Sequence, residues 1–128
     1  MRTHHTVAAP EAIGPYSQAI EIDGWLFTSG QVGIDPATGE LSGEDFDSQA
    51  RQVLSNLKAV LATAGCGFSN VVKTTVFLTD LGLFPRLNEL YAEAVGEHRP
   101  ARSTVEVAGL PKDALIEIDL VARLSPNG

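Results

Sequence analysis

Two alternating runs of residues near the C-terminal end limit most strongly what this chain can fold into. Residues 101–107 and 115–122 alternate polar and apolar side chains, which is the period of a half-buried β-strand. Gly109 and Pro111 lie between the two runs and mark a loop. The sequence therefore predicts two strands here, each with one polar and one apolar face.

The polar faces of these two strands carry the first candidate site. Arg102 and Thr104 share a face of the first run, and Glu117 and Asp119 share a face of the second. If the runs pair as an antiparallel hairpin, opposed residues share a face, and Arg102 meets Glu117 or Asp119. A guanidinium beside carboxylates is either part of a functional site or an ordinary surface ion pair. The alternation alone leaves both interpretations open.

The rest of the sequence predicts an α+β fold. The pair Asp23-Gly24 suits the positive φ angles of a two-residue hairpin turn. We expect residues 1–128 to form one domain, a single-layer mixed β-sheet covered on one face by two antiparallel helices. The uncovered face should then meet partner subunits. The expected elements are a strand at 4–8, a hairpin at 17–22 and 25–29, helices at about 46–64 and 84–95, and a strand at 71–78.

Charge and cysteine content narrow the classes of partner. The chain has nine Lys and Arg residues against sixteen acids and a net charge of −7, which disfavours nucleic acid as a partner because such proteins neutralise phosphates with basic residues. No apolar run could span a membrane and no signal peptide is expected. The single cysteine, Cys66, indicates a reducing, cytoplasmic setting. The histidines are too scattered to suggest a metal site, and we expect no other cofactor.

Four stretches together resemble one known family. In order and spacing they are similar to motifs of the RidA (YjgF-type) reactive intermediate deaminases, over about residues 8–123. The resemblance implies a chorismate-mutase-like fold, assembled as a homotrimer around a central barrel of sheets, with active sites between subunits. It also implies hydrolysis of 2-imino acids and their enamine tautomers to 2-keto acids and ammonia. The four stretches are residues 12–19, 28–31, 72–78 and 100–119.

The resemblance assigns roles to individual residues. Arg102 is implied to bind the substrate's carboxylate. Glu117 is implied to orient or deprotonate the attacking water, and the Thr104 carbonyl to help hold that water. The residues implied to shape the pocket are Tyr16, Ser29, Gly30 and Asn88.

The chain departs from the family pattern at two places. Thr104 stands where many relatives have cysteine, so a thiol reaction is not expected there. Arg99-Pro100 replaces an aromatic-Pro pair of some relatives and is expected to reshape one wall of the pocket. The alternative function is a trimer that binds small carboxylates without turnover, or a chaperone-like trimer. A ribonuclease activity is disfavoured by the acidic charge. The natural substrate, among imino acids, aminoacrylate and aminomuconate, stays open.

Overall fold

The computed structural model describes residues 1–125, which form a mixed α+β structure. The helices are α1 (Phe46–Thr63) and α2 (Phe84–Val95). The types and order of the predicted elements are confirmed, but the first strand lies earlier than residues 4–8, and a short strand that was not predicted occupies residues 31–32. The strands are β1 (Arg2–His4), β2 (Ala19–Ile22), β3 (Trp25–Thr28), β4 (Gln31–Val32), β5 (Val71–Leu78), β6 (Ala101–Glu106) and β7 (Ile116–Arg123).

Local chemistry sets the ends of both helices. Asp45 precedes α1, and its carboxylate accepts a hydrogen bond from the Ser48 N–H at 2.9 Å, which satisfies one of the free donors of the first turn. Gly65 follows α1 with a φ of 71°, a conformation that glycine adopts without strain. Pro85 occupies the first turn of α2, where a missing N–H leaves no partner unsatisfied.

The strands form one sheet in the order β1-β2-β3-β7-β5-β6, with β4 also beside β7. Strands β5 and β6 are parallel, whereas β7 pairs antiparallel with β5. The predicted β6–β7 hairpin is therefore wrong. Helix α2 carries the chain back to the end of the sheet where β5 begins. Strand β6 therefore runs parallel to β5 and forms the edge of the sheet. The segment after β6 then carries the chain to the other side of β5, where β7 pairs.

The two helices run side by side in the same direction, so the expectation that they are antiparallel is also wrong. Asp47 and Arg86 join the first turns of α1 and α2, and Arg51 reaches Glu93 further along at 3.8 Å. The reason lies in the topology, because each helix connects two strands that point the same way. Each helix must therefore run antiparallel to the two strands that it connects.

One face of the sheet packs on both helices and forms the core. In β7 the residues facing the helices are almost completely buried, whereas Glu117 and Asp119 alternate with them on the opposite face. Each buried aliphatic side chain contributes about 1.5–3 kcal/mol to folding, so this alternation fixes the register of β7. The buried residues of β7 are Ile116, Ile118, Leu120 and Ala122.

The opposite face of the sheet is covered by no helix within residues 1–125. It exposes large apolar side chains together with the carboxylates of β7. A face of this kind is typical of a protein–protein contact. Its exposed members include Ile22, Trp25, Phe27 and Val105.

Two buried side-chain amides of α1 hydrogen-bond to the loop that follows β4 and to the residue that precedes β7. Gln49 accepts a hydrogen bond from the Leu115 N–H at 2.8 Å and donates to the Gly43 carbonyl at 2.9 Å. Asn56 donates to the Ile34 carbonyl at 2.9 Å. The helix thereby fixes the backbone around the start of β7. Neither helix in the described part of the chain is long and apolar enough to cross a bilayer.

Candidate active site

The break between β3 and β4 places backbone against a carboxylate. Both strands pair with β7, and Ser29 and Gly30 lie between them. A Cβ atom on Gly30 would lie 2.6 Å from Cδ of Glu117, which is closer than two non-bonded carbon atoms can approach. Glycine at this position therefore lets the carboxyl group of Glu117 lie directly over the main chain.

The environment of Glu117 makes its carboxylate more basic than an ordinary one. The side chain is partly buried on the open face of the sheet, and the pKa of Glu117 is raised by that burial and, secondarily, by the negative charge of Asp119. The pKa of Asp119 is raised as well, by burial, against a hydrogen bond to Thr75 that lowers it. A carboxylate of raised pKa accepts a proton from water more readily.

Glu117 faces a cleft of about 410 Å³ whose lining includes Tyr16 and Gly30. Tyr16 is 52% exposed, and its phenol oxygen accepts a hydrogen bond from the Ile13 N–H at 3.2 Å. The Ser29 hydroxyl donates to the Ser17 carbonyl at 2.5 Å, so it serves to hold the backbone in place. We call these residues the glycine half-site: Tyr16, Ser29, Gly30 and Glu117.

Arg102 lies on the other side of the sheet, against α2. Its guanidinium stacks on two rings, with Cζ 5.0 Å from the centroid of Tyr91 and 5.2 Å from that of Phe84. Nη2 donates to Oδ1 of Asn88 at 2.7 Å. Within residues 1–125, Nε and Nη1 of Arg102 have no hydrogen-bond partner. Stacking fixes the plane of the guanidinium, and the second N–H of Nη2 can pair with that of Nε or Nη1 to bind a bidentate anion.

A second cleft, of about 390 Å³, opens beside Arg102 and is lined also by Asn88 and Arg99. Thr104 follows on the same face of β6, and its Oγ1 is buried without a hydrogen-bond partner in the described chain. A buried hydroxyl without a partner is unfavourable by about 1–3 kcal/mol. We call these residues the arginine half-site: Asn88, Arg99, Arg102 and Thr104.

The two half-sites do not meet within one chain. Arg102 pairs in register with Thr74 of β5, and Thr74 is buried on the helix-covered face. Glu117 pairs with Phe77 on the open face. Strand β5 lies between them, so the guanidinium and the carboxylate are on opposite faces of the sheet. The predicted contact of Arg102 with Glu117 or Asp119 is wrong for a single chain.

Sequence reasoning missed the stacking partners of Arg102 and one lining residue of the first cleft. Phe84 is 39% exposed and flanks the guanidinium, whereas Tyr91 stacks on it from the buried core. Only the parallel pairing of β5 with β6 puts α2 beside Arg102. Lys112 lines the first cleft from a left-handed turn with a φ of 57°, and no sequence signal marks it. No cluster of potential metal ligands occurs in the described part of the chain.

Comparisons with known proteins identify the class. A family model described as endoribonuclease L-PSP matches residues 6–124. A RutC family protein from Pyrococcus horikoshii is 53% identical over 117 residues, covering 91% of this chain and 93% of that protein. The human 2-iminobutanoate/2-iminopropanoate deaminase is 46% identical over 125 residues, covering 98% and 91%.

A solved structure agrees with these sequence matches. The structure of Escherichia coli TdcF with bound serine superposes with a TM-score of 0.92 at 41% identity. The match covers 98% of this chain and 100% of the TdcF chain. The chain belongs to the RidA (YjgF-type) family. Its mixed sheet and two helices are the chorismate-mutase-like fold of that family.

Proposed function

We propose that this protein is an enamine and imine deaminase. It hydrolyses 2-imino acids, such as 2-iminobutanoate and 2-iminopropanoate, to 2-keto acids and ammonia, and so removes reactive intermediates. Support comes from the family and from the human deaminase relative. TdcF, of the same fold, binds serine, which like a 2-imino acid is a small carboxylate. One half-buried free thiol, Cys66, suits a cytoplasmic setting.

The observation that carries the proposal is the division of the chemical groups between two faces of the sheet. The arginine half-site offers a donor fork without a base, and the glycine half-site offers a base without an anion clamp. A substrate as small as 2-iminobutanoate reaches both only when two chains meet. The open apolar face supplies a surface for that meeting. We therefore propose a homotrimer with active sites between subunits.

The two half-sites together suffice for hydrolysis of an imine. Arg102 binds the carboxylate through two parallel hydrogen bonds, and Asn88 and the stacked rings hold the fork. Glu117 takes a proton from a water molecule while the water oxygen bonds to the carbon of the protonated imine and the C=N electron pair moves to nitrogen. Glu117 then gives that proton to the amino nitrogen. It accepts the hydroxyl proton as the carbon–nitrogen bond breaks, so that the keto group forms and ammonia leaves. Tyr16 and Gly30 shape the pocket, and the Thr104 carbonyl helps to hold the water.

Turnover by variants of Arg102 tests this function. Arg102→Ala removes the carboxylate clamp, and the loss of such a charge-assisted contact costs about 2–5 kcal/mol. We expect kcat/KM for 2-iminobutanoate to fall at least about tenfold. Arg102→Lys should recover little, because an ammonium group restores the charge without the planar fork.

Circular dichroism and sedimentation provide the controls for fold and assembly. Activity of Arg102→Ala within twofold of the unchanged protein would reject the role of Arg102. A wild-type protein that binds 2-keto acids but releases no ammonia above the spontaneous rate would instead establish the alternative, a carboxylate-binding trimer.

A further inference from the structure

We propose that Arg99 binds a second carboxylate, so that the preferred substrates are imino acids with an acidic side chain. This inference rests on the proposed deaminase function and narrows its substrate class. An imino acid derived from glutamate or aspartate would place its first carboxylate on Arg102 and its side-chain carboxylate on Arg99.

The first observation is an uncompensated pair of positive charges in one cleft. Arg99 and Arg102 both line the cleft of about 390 Å³, together with Asn88, Tyr91 and other uncharged residues. No carboxylate is part of that lining. Among residues 1–125, neither guanidinium forms an ion pair, although the chain carries a net charge of −7. Two adjacent cations without counter-ions repel each other and favour a dianion.

The second observation is how Arg99 is held. Its Nη1 donates to the Gly96 carbonyl and to the His98 carbonyl, the latter at 3.0 Å. These bonds leave Nε and Nη2 without partners in the described chain. The side chain is thus anchored at one nitrogen while its remaining donors can reach an anion.

The spacing of the two arginines suits one short ligand. Only Pro100 and Ala101 separate them, so their Cα atoms are at most about 11 Å apart. Pro100 also fixes its own φ angle, which limits how far Arg99 can swing away. Both side chains can therefore contact the two carboxylates of a single small dicarboxylate.

A purely structural role for Arg99 makes a different prediction. Gly96 caps the C-terminal end of α2, where a cation stabilises the helix dipole. If Arg99 served only that purpose, its replacement would lower the melting temperature and would change activity equally on all imino acids. The substrate-binding role instead changes the ratio between substrates.

The experiment compares 2-iminoglutarate with 2-iminopentanoate, which has the same number of carbons but no second carboxylate. An amino acid oxidase generates each imine from its amino acid, and ammonia release above the spontaneous rate gives kcat/KM. Arg99→Gln should lower the ratio of 2-iminoglutarate to 2-iminopentanoate efficiency by about threefold to tenfold. Arg51→Gln removes the same charge from exposed α1 and should leave the ratio unchanged.

Binding of the stable keto acids gives a second readout that does not need turnover. Calorimetry should show 2-oxoglutarate binding more tightly than 2-oxopentanoate to the wild-type protein, and Arg99→Gln should reduce that difference. An unchanged ratio of both kcat/KM and Kd in Arg99→Gln would overturn the inference while the deaminase function stands. Failure of the wild-type protein to hydrolyse either imine would overturn the proposed function itself.

Discussion

At the scale of single residues, neighbours give the two principal side chains their properties. Phe84 and Tyr91 fix the plane of the Arg102 guanidinium, and Asn88 accepts a hydrogen bond from one of its donors. Glu117 becomes a better base because it is partly buried beside Asp119. The resemblance of short motifs indicated Arg102 and Glu117 from the sequence. It could not indicate their surroundings, which depend on strand pairing.

The raised pKa of Glu117 predicts a pH dependence. A general base must be ionised, so kcat/KM should fall as the pH drops through the raised pKa of Glu117, above the ordinary value of 4.5. Asp119→Asn removes the second cause of the shift, so the pKa of Glu117 should fall and the acid limb should move to lower pH. The measurement is kcat/KM for 2-iminobutanoate against pH.

A remote carboxylate provides the matched control for that profile. Glu93→Gln removes one negative charge from exposed α2 and should leave the acid limb in place. An acid limb that stays in place in Asp119→Asn, or moves to higher pH, would show that Glu117 is not the ionising group of the reaction.

At the scale of elements, the interruption between β3 and β4 is the feature on which the glycine half-site depends. Gly30→Ala should displace the carboxyl group of Glu117, because the added Cβ would lie 2.6 Å from its Cδ. The displaced group is the end of a flexible side chain, so the fold should persist. A misplacement of about 1 Å at a reacting group lowers the rate by up to about a hundredfold.

Gly109→Ala is the control for this substitution, since no atom lies within 4 Å of a Cβ built there. We expect a large loss of kcat/KM in Gly30→Ala, little change in Gly109→Ala, and similar melting temperatures in both. Full activity in Gly30→Ala would mean that the position of Glu117 over the backbone is irrelevant to catalysis.

The elements themselves were largely predictable from local chemistry, but their arrangement was not. The period of apolar residues and the Pro85 signal predict α2 at the residues where it is found. The Asp23-Gly24 turn has positive φ at both residues, as predicted. Strand neighbours are a long-range property, and the hairpin predicted from nearness in sequence failed because α2 places β6 beside β5. That single error also misplaced Arg102 relative to Glu117.

At the scale of the whole molecule, one chain has a complete core but keeps Arg102 and Glu117 on opposite faces of its sheet. The helices bury one face of the sheet, while the other keeps Trp25 and Phe27 exposed beside the carboxylates of β7. Contact between chains through that face would remove apolar surface from water. In a trimer it would also raise the pKa of Asp119 and Glu117 further by burial. With active sites between subunits, as we propose, folding of one chain and formation of the site are separate steps.

Mixing two inactive variants tests most directly whether the half-sites combine between chains. Under the proposed mechanism Arg102→Ala lacks the carboxylate clamp and Glu117→Gln lacks the base, so each alone should be inactive. Refolded together at equal amounts, they should form mixed oligomers in which some interfaces join an intact Arg102 to an intact Glu117. Random assembly predicts recovery of about one quarter of the wild-type kcat/KM for 2-iminobutanoate. If confirmed mixed oligomers show only the average activity of the two variants, the site does not lie between subunits.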